Sequence, residues 1–318
     1  AWLALVGLVA SSVSVRRQRR SLAGSSTLHV STGQEQASPK AATELEGNWH
    51  GSAGWDRERI ESQVVVGSIQ AKGRCLFAKK SFRADDVIFV EGPILVATPS
   101  MSPRIWKYLQ RLSEEKEFEW NVEFYFAALM SLKLEQDKIS LIEDKCTNKA
   151  SLGVKEDVHR IVRYISSRRN TQLFLLSLSE TQLLCIVDAW YANGWRHPTK
   201  NHGLVMYDRI SMTSHSCNPT AYVHIDRRHD LHLKAYDDLK EDGEVTISYM
   251  CDAYEEKPHP VRQDYLRANF GFECCCPKCS QEANEERTTK KAQMELLPIK
   301  NLKTEFLAQP MGQTFTKE

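Results

Sequence analysis

Residues 269 to 281 read NFGFECCCPKCSQ, placing four of the chain's nine cysteines within six positions, with Phe270 and Phe272 just ahead of them. Thiolates separated by one and by two residues, Cys274, Cys276 and Cys279, can turn around one tetrahedral ion, and zinc is the usual occupant of such a set. Cys275 makes a poor fourth ligand because its neighbours already take both sides of it. The last ligand must come from elsewhere, with Cys217, Cys251, Cys146, Cys185 and Cys75 as candidates. Free thiols at this density invite oxidation, so an idle set is disfavoured. The spacing predicts a closed structural zinc site rather than a Lewis-acid centre.

The other cysteines are scattered and the total is odd, which does not match a small disulfide scaffold and points to a reducing compartment, cytoplasmic or nuclear. With 318 residues and 42% hydrophobic content, the chain can build a substantial core. Forty-two basic and 41 acidic residues leave a net charge of +1, so no global field draws it to nucleic acid or an anionic membrane. The opening run AWLALVGLVASSVSV is too short for a membrane span and lacks a basic region in front; a truncated or over-extended translation start is the expectation, with a targeting role as the alternative. Residues 1–63, rich in Ser, Gly and charge, are expected to be disordered, with RRQRR read as a solvated charge run rather than a nuclear-localisation patch.

Outward from the cysteines, EDGEVTISYM follows a glycine turn as a strand, on which Val245, Ile247 and Tyr249 should share one face. AYVHIDRRHDLHLKAYDDL reads as two alternating strands around a turn at Arg227 to Asp230. Near the start, Val64 to Ala97 breaks into short β runs separated by Gly, Asp-Asp and Gly-Pro, read as a meander. Between these β regions the texture is helical. Ser102 and Pro103 open a helix with Ile105, Trp106, Leu109 and Leu112 on one face, and Ser179 with Gln182 forms a capping box. No GxGxxG or GxxxxGK[ST] loop occurs, which counts against the nucleotide enzymes that use them.

Three segments in this order resemble one family. TSHSCNPTA (213–221), DGEVTISY (242–249) and FECCCPKC (272–279) are similar to the Asn-His-Ser-Cys-x-Pro-Asn motif, the strand ending in Ser-Tyr, and the post-SET cysteines of SET-domain protein lysine methyltransferases. KGRCLFAKKSFRADDVIFVEGPIL (72–95) resembles their first segment, including its Glu-x-Pro. The long insert is similar to that of the SET-and-MYND subfamily, but between Thr98 and Ser177 only Cys146 and His159 could bind metal, so a MYND finger is not expected. The apical-complex lysine methyltransferases of apicomplexan parasites, which lack it, are the nearer comparison.

The resemblance implies an α+β fold: residues 64–268 as a β-rich SET domain of short strands with a helical insert at about 101–195, residues 269–280 as a zinc-binding post-SET segment, and residues 281–318 as a helical stub. The chain is then either a fragment or has a reduced C-terminal domain. The implied activity is methyl transfer from S-adenosylmethionine to a lysine of a protein substrate, with Tyr249 as the catalytic residue. Lys72, Gly73, Arg74, Ser211, Ser214, His215 and Phe272 are implied for the cofactor, Trp190 and Phe270 for the lysine channel, and Cys217 as the fourth zinc ligand. Where Phe270 stands, relatives often carry Tyr, implying a channel permissive to more than one methyl group. Cys75, Ser214, Thr220 and Asp242-Gly243 depart from the family pattern around the cofactor. A catalytically weak scaffold that binds a protein partner is the competing expectation; a membrane span and direct nucleic-acid binding are not expected.

Overall fold

The computed structural model describes residues 54–70, 72–167 and 178–296. The apolar opening run, RRQRR and the chain beyond 296 lie outside the described residues. Order starts earlier than Val64: Asp56 caps a short helix α1 (Arg57–Glu61), accepting from the Arg59 N–H, and the Trp55 N–H donates to the Val90 carbonyl.

Four strands follow, β1 (Val64–Ile69), β2 (Gly73–Ala78), β3 (Val87–Glu91) and β4 (Leu95–Ala97). They are not a meander. Only β1 and β2 pair with each other, across a turn in which Gly73 adopts φ +79°, a region that disfavours residues with a Cβ. The polar Asp-Asp turn and the Gly-Pro step send β3 and β4 into separate small sheets closed by strands from the second half of the chain.

Among the described residues, five α-helices follow: α2 (Pro103–Glu115), α3 (Val122–Ser131), α4 (Gln136–Glu143), α5 (Leu152–Ser166) and α6 (Glu180–Asn193). In α2, Ile105, Leu109 and Leu112 face inward as the 3.6-residue period requires, with Pro103 in its first turn, although Ser102 makes no side-chain cap. Ser179 accepts from the Gln182 N–H, but the Gln182 side chain turns to Glu143, so only half of the capping box forms. Apolar almost all round, α3 is the buried centre of the insert.

The chain then returns through β5 (Trp195–Arg196), β6 (Leu204–Met206), a 3-10 turn (Arg209–Met212), β7 (Ser214–His215), β8 (Ala221–Ile225), β9 (Leu231–Ala235) and β10 (Glu244–Ile247). Helices α7 (Asp252–Glu255), α8 (His259–Phe270) and α9 (Pro277–Leu296) complete the described residues. The sheets run β1-β2-β10-β7, β3-β9-β8 and β4-β6-β5. One apolar core lies within the insert and another among the strands, and a small third one gathers Cys217, Met250, Leu266 and the late cysteines. None of the described helices is long and apolar enough to cross a membrane.

Candidate active site and metal centre

The site forms where β10 lies parallel to β7, pairing Thr246 with Ser214 and Ile247 with His215. Thr220 secures this pairing, its hydroxyl accepting from the Thr246 N–H at 2.9 Å and donating to the Glu244 carbonyl at 3.0 Å. Beneath it, the buried Glu91 carboxylate accepts from the backbone N–H groups of Asp208, Arg209 and Ile210 and fixes the 3-10 turn that leads into Thr213. Such a carboxylate uses several lone pairs at once and holds the turn in one conformation.

Tyr249 lies two residues past the end of β10, so it belongs to a loop and not to the strand face expected for it. Its hydroxyl donates to the Thr213 carbonyl at 2.5 Å, and its N–H donates to His215 Nδ1 at 3.0 Å. With Nδ1 accepting, the proton of the neutral imidazole sits on Nε2, which faces Cys217 Sγ at 3.4 Å. Burial pushes the imidazole down to about 4, so it stays neutral at physiological pH. Burial also pushes the Tyr249 phenol up to about 12, so its hydroxyl stays protonated. Both His215 ring nitrogens are thus spent on the fold, and any contact of this residue with a cofactor falls to its backbone.

Around Tyr249 stand aromatic rings: Phe270 at 5.3 Å, His215 at 5.4 Å and Phe272 at 6.2 Å between centroids. Tyr265 adjoins Phe270, and Tyr254 packs on Tyr265 at 4.2 Å. Neither tyrosine was marked by sequence reading, because both lie between recognised motifs. Trp190 is not part of this group. It is fully buried in the insert core, where its indole N–H donates to the Ser131 hydroxyl at 2.8 Å, and the channel role expected for it is withdrawn. Its helix α6 packs against α3, which turns the ring inward.

Of the positions expected to hold a cofactor, Ser214 and Lys72 converge on one carboxylate. The Lys72 ammonium donates to Glu244 at 2.6 and 2.8 Å, and the Ser214 hydroxyl to the same side chain at 2.6 Å. Burial alone would raise the Glu244 carboxyl, but Lys72 and Ser214 outweigh it and hold it below the usual range. Cys75, fully buried, lies beside this group, and burial first and Glu244 second push its thiol up. Gly73 and Arg74 are exposed, Arg74 reaching the Asp144 carbonyl of the insert at 3.2 Å. A Cβ built on Gly73 would meet nothing within 4 Å, so the turn borders open space. Ser211 is spent on the Tyr207 carbonyl. The open Gly73 turn and the partly exposed Phe272 ring remain as surfaces that a ligand could reach, while the side chains of Lys72, Ser211, Ser214 and His215 are engaged within the fold.

Below the aromatic group, the sulfurs of Cys217, Cys274, Cys276 and Cys279 all lie within 4.8 Å of one another, with Cys217 at 3.9 Å from Cys274 and 3.4 Å from Cys279. Four sulfurs bound tetrahedrally at about 2.3 Å from zinc stand about 3.8 Å apart. The set therefore fits such an ion. Hydrogen bonding among the four sulfurs pulls the Cys276 and Cys279 thiols below the ordinary range while it pushes Cys217 and Cys274 above it, so the four share their protons as one group. Cys275 is exposed and points away from the group, while Cys75, Cys146, Cys185 and Cys251 do not join it.

Helix α8 grips this loop. It ends at Gly271, whose φ of +71° lets the chain reverse into the cysteines. Gln263 holds the Cys274 backbone from both sides, accepting from its N–H and donating to its carbonyl, each at 2.8 Å. The neighbouring Arg262 is buried against the sulfurs. Desolvation would lower its guanidinium, but Glu282, Cys217 and Cys279 more than offset this.

Residues 73–250, which carry Ser214, His215, Cys217 and Tyr249, match the SET domain family, and the chain belongs to that family. Among curated relatives, it is 38% identical over 80 residues to protein-lysine N-trimethyltransferase SMYD5 of Homo sapiens, a stretch covering 25% of this chain and 19% of that protein. It is 31% identical over 85 residues to histone-lysine N-methyltransferase SET5 of Eremothecium gossypii, covering 27% and 17% of the two chains. The chain thus spans about a fifth of the length of the curated relatives it matches. Among solved structures, it is similar to the SET domain of LSMT bound to lysine and AdoHcy, with a TM-score of 0.41 and 16% identity over 67% of this chain and 53% of that one.

Proposed function

We propose that the chain is an S-adenosylmethionine-dependent protein lysine N-methyltransferase. The observation that carries this reading is the packing of the His215, Phe270 and Phe272 rings around that of Tyr249, whose hydroxyl is fixed on the Thr213 carbonyl. The lysine methyltransferase names of the matched relatives agree with it. When bound, the cofactor supplies an electrophilic methyl on a sulfonium.

The chain's own residues supply the rest. The rings of Phe270 and Phe272 form an apolar passage in which a lysine ammonium is poorly solvated, which favours its neutral, nucleophilic form. Protonated Tyr249 is no base at neutral pH; with its O–H committed to Thr213, it offers its oxygen lone pairs to the amine and so orients it. Alignment of this kind can account for about 7 to 11 kcal/mol of barrier. Four cysteines holding a structural zinc keep Phe270 and Phe272 over Tyr249, so the metal's part is architectural.

The test is calorimetric titration of S-adenosylmethionine into zinc-replete protein, followed by transfer of labelled methyl to lysine-bearing proteins. Binding by both wild type and Tyr249→Phe is expected, with transfer at least about 100-fold slower in the variant, the scale of a misplaced reacting group. One observation favours the competing scaffold reading: Lys72 and Ser214 are already engaged with Glu244. Absence of binding by folded, zinc-loaded protein would select that reading.

A further inference from the structure

We infer that Arg262 is a positioning residue for the metal centre, its buried guanidinium offsetting the negative charge of the cysteine cluster while Glu282 holds it in place. The inference rests on reading the four cysteines as a zinc site. Arg262 is only 2% exposed, a degree of burial that arginine rarely reaches unless paired. Its Nη2 lies 3.6 Å from Cys279 Sγ and 2.6 Å from the Glu282 carboxylate, and Nη1 donates to the Lys257 carbonyl at 2.6 Å.

Glu282 is accessible enough to be paired by a cation in solvent, so the ion pair alone does not require Arg262 to be buried; the sulfurs do. Four thiolates around a divalent ion leave two uncompensated negative charges in a water-poor pocket. A charge-assisted N–H···S bond draws density from the sulfurs and lowers the cost of keeping all four ionised. Gln263, the next residue, fixes the Cys274 backbone, so two successive side chains of α8 serve the same loop in different ways.

The test uses the full chain loaded with zinc, and separately with cobalt. Arg262→Met should lose zinc to a chromophoric chelator about 10- to 100-fold faster than wild type, the usual effect of removing a partner of a metal ligand. Arg262→Lys, which keeps the charge without the fork, should fall between. In the cobalt form, loss of the N–H···S bond to Cys279 should move the sulfur-to-cobalt charge-transfer bands of Arg262→Met to lower energy, a signature that a merely structural role would leave in place. If Arg262→Met misfolds because Glu282 is stranded, the double variant with Glu282→Gln carries the same test. A folded variant with wild-type release rate and band positions would overturn the inference. A wild-type chain that binds neither metal through thiolates would overturn the zinc reading and the inference with it.

Discussion

At the scale of single residues, the contact of Lys72 and Ser214 with Glu244 decides how far this site departs from its family. A serine hydroxyl is shorter than an asparagine amide and offers one donor, and here that donor is committed to Glu244. Because the Glu244 carboxyl is held below its ordinary 4.5, the stability drawn from its pairing is present above that pH and is lost as pH falls through its lower folded value. Melting curves of wild type and Glu244→Gln should therefore differ by a constant interval at neutral pH and converge below about pH 4.5, whereas a difference that widens on acidification would contradict the assigned pairing. Phe270 presents no hydroxyl to Tyr249, and on the proposed function this predicts a channel open to more than one methyl group. Mass spectrometry should then find di- and trimethylated product at saturation; product that stops at one methyl group would count against it.

Among the elements, α6 and α8 divide the work. Helix α6 supplies the insert core, and its Trp190 satisfies Ser131, which in turn bonds the Ala127 carbonyl. Trp190→Phe should cost about 1–3 kcal/mol of stability, from the cavity and the lost hydrogen bond, without changing cofactor affinity. Chemical denaturation beside calorimetry separates these effects; weakened binding at unchanged stability would return Trp190 to the site. Helix α8 carries Tyr265 and Phe270 of the aromatic group together with the Arg262 and Gln263 grip on the cysteine loop, so damage there should reach both.

Across the whole molecule, the cysteine centre joins segments nearly sixty positions apart, Cys217 to Cys274. Closing so long a loop is entropically costly, and a metal held by the four cysteines, as proposed, would offset that cost in the folded state. Chelation should therefore release α8 and α9 while the sheet β1-β2-β10-β7 persists. Hydrogen exchange should show fast amides confined to residues after Met250, and cofactor binding should fall as Phe272 leaves the site. Uniform exchange across the sheets would show instead that the metal supports the entire fold.

The sequence by itself determined what sits in short local motifs: the cysteine spacing that brings Cys274, Cys276 and Cys279 together, the adjacent Ser214 and His215, and the alternation that makes β8 and β9 a hairpin. These are local, set by residue type and by a period of two or of one turn. Only the tertiary structure decided the partners of β3 and β4, because the short β runs before Ala97 carry no signal for strands more than a hundred residues away. It also placed Trp190 in a core rather than a channel, since an apolar helix face reads the same against either. The His215 ring was committed to Tyr249 and Cys217, and Arg262 and Glu244 gained their roles, by the same means: a charged side chain acquires its partner only when distant segments meet, and the energy of that meeting lies in burial and pairing that no single stretch of sequence contains.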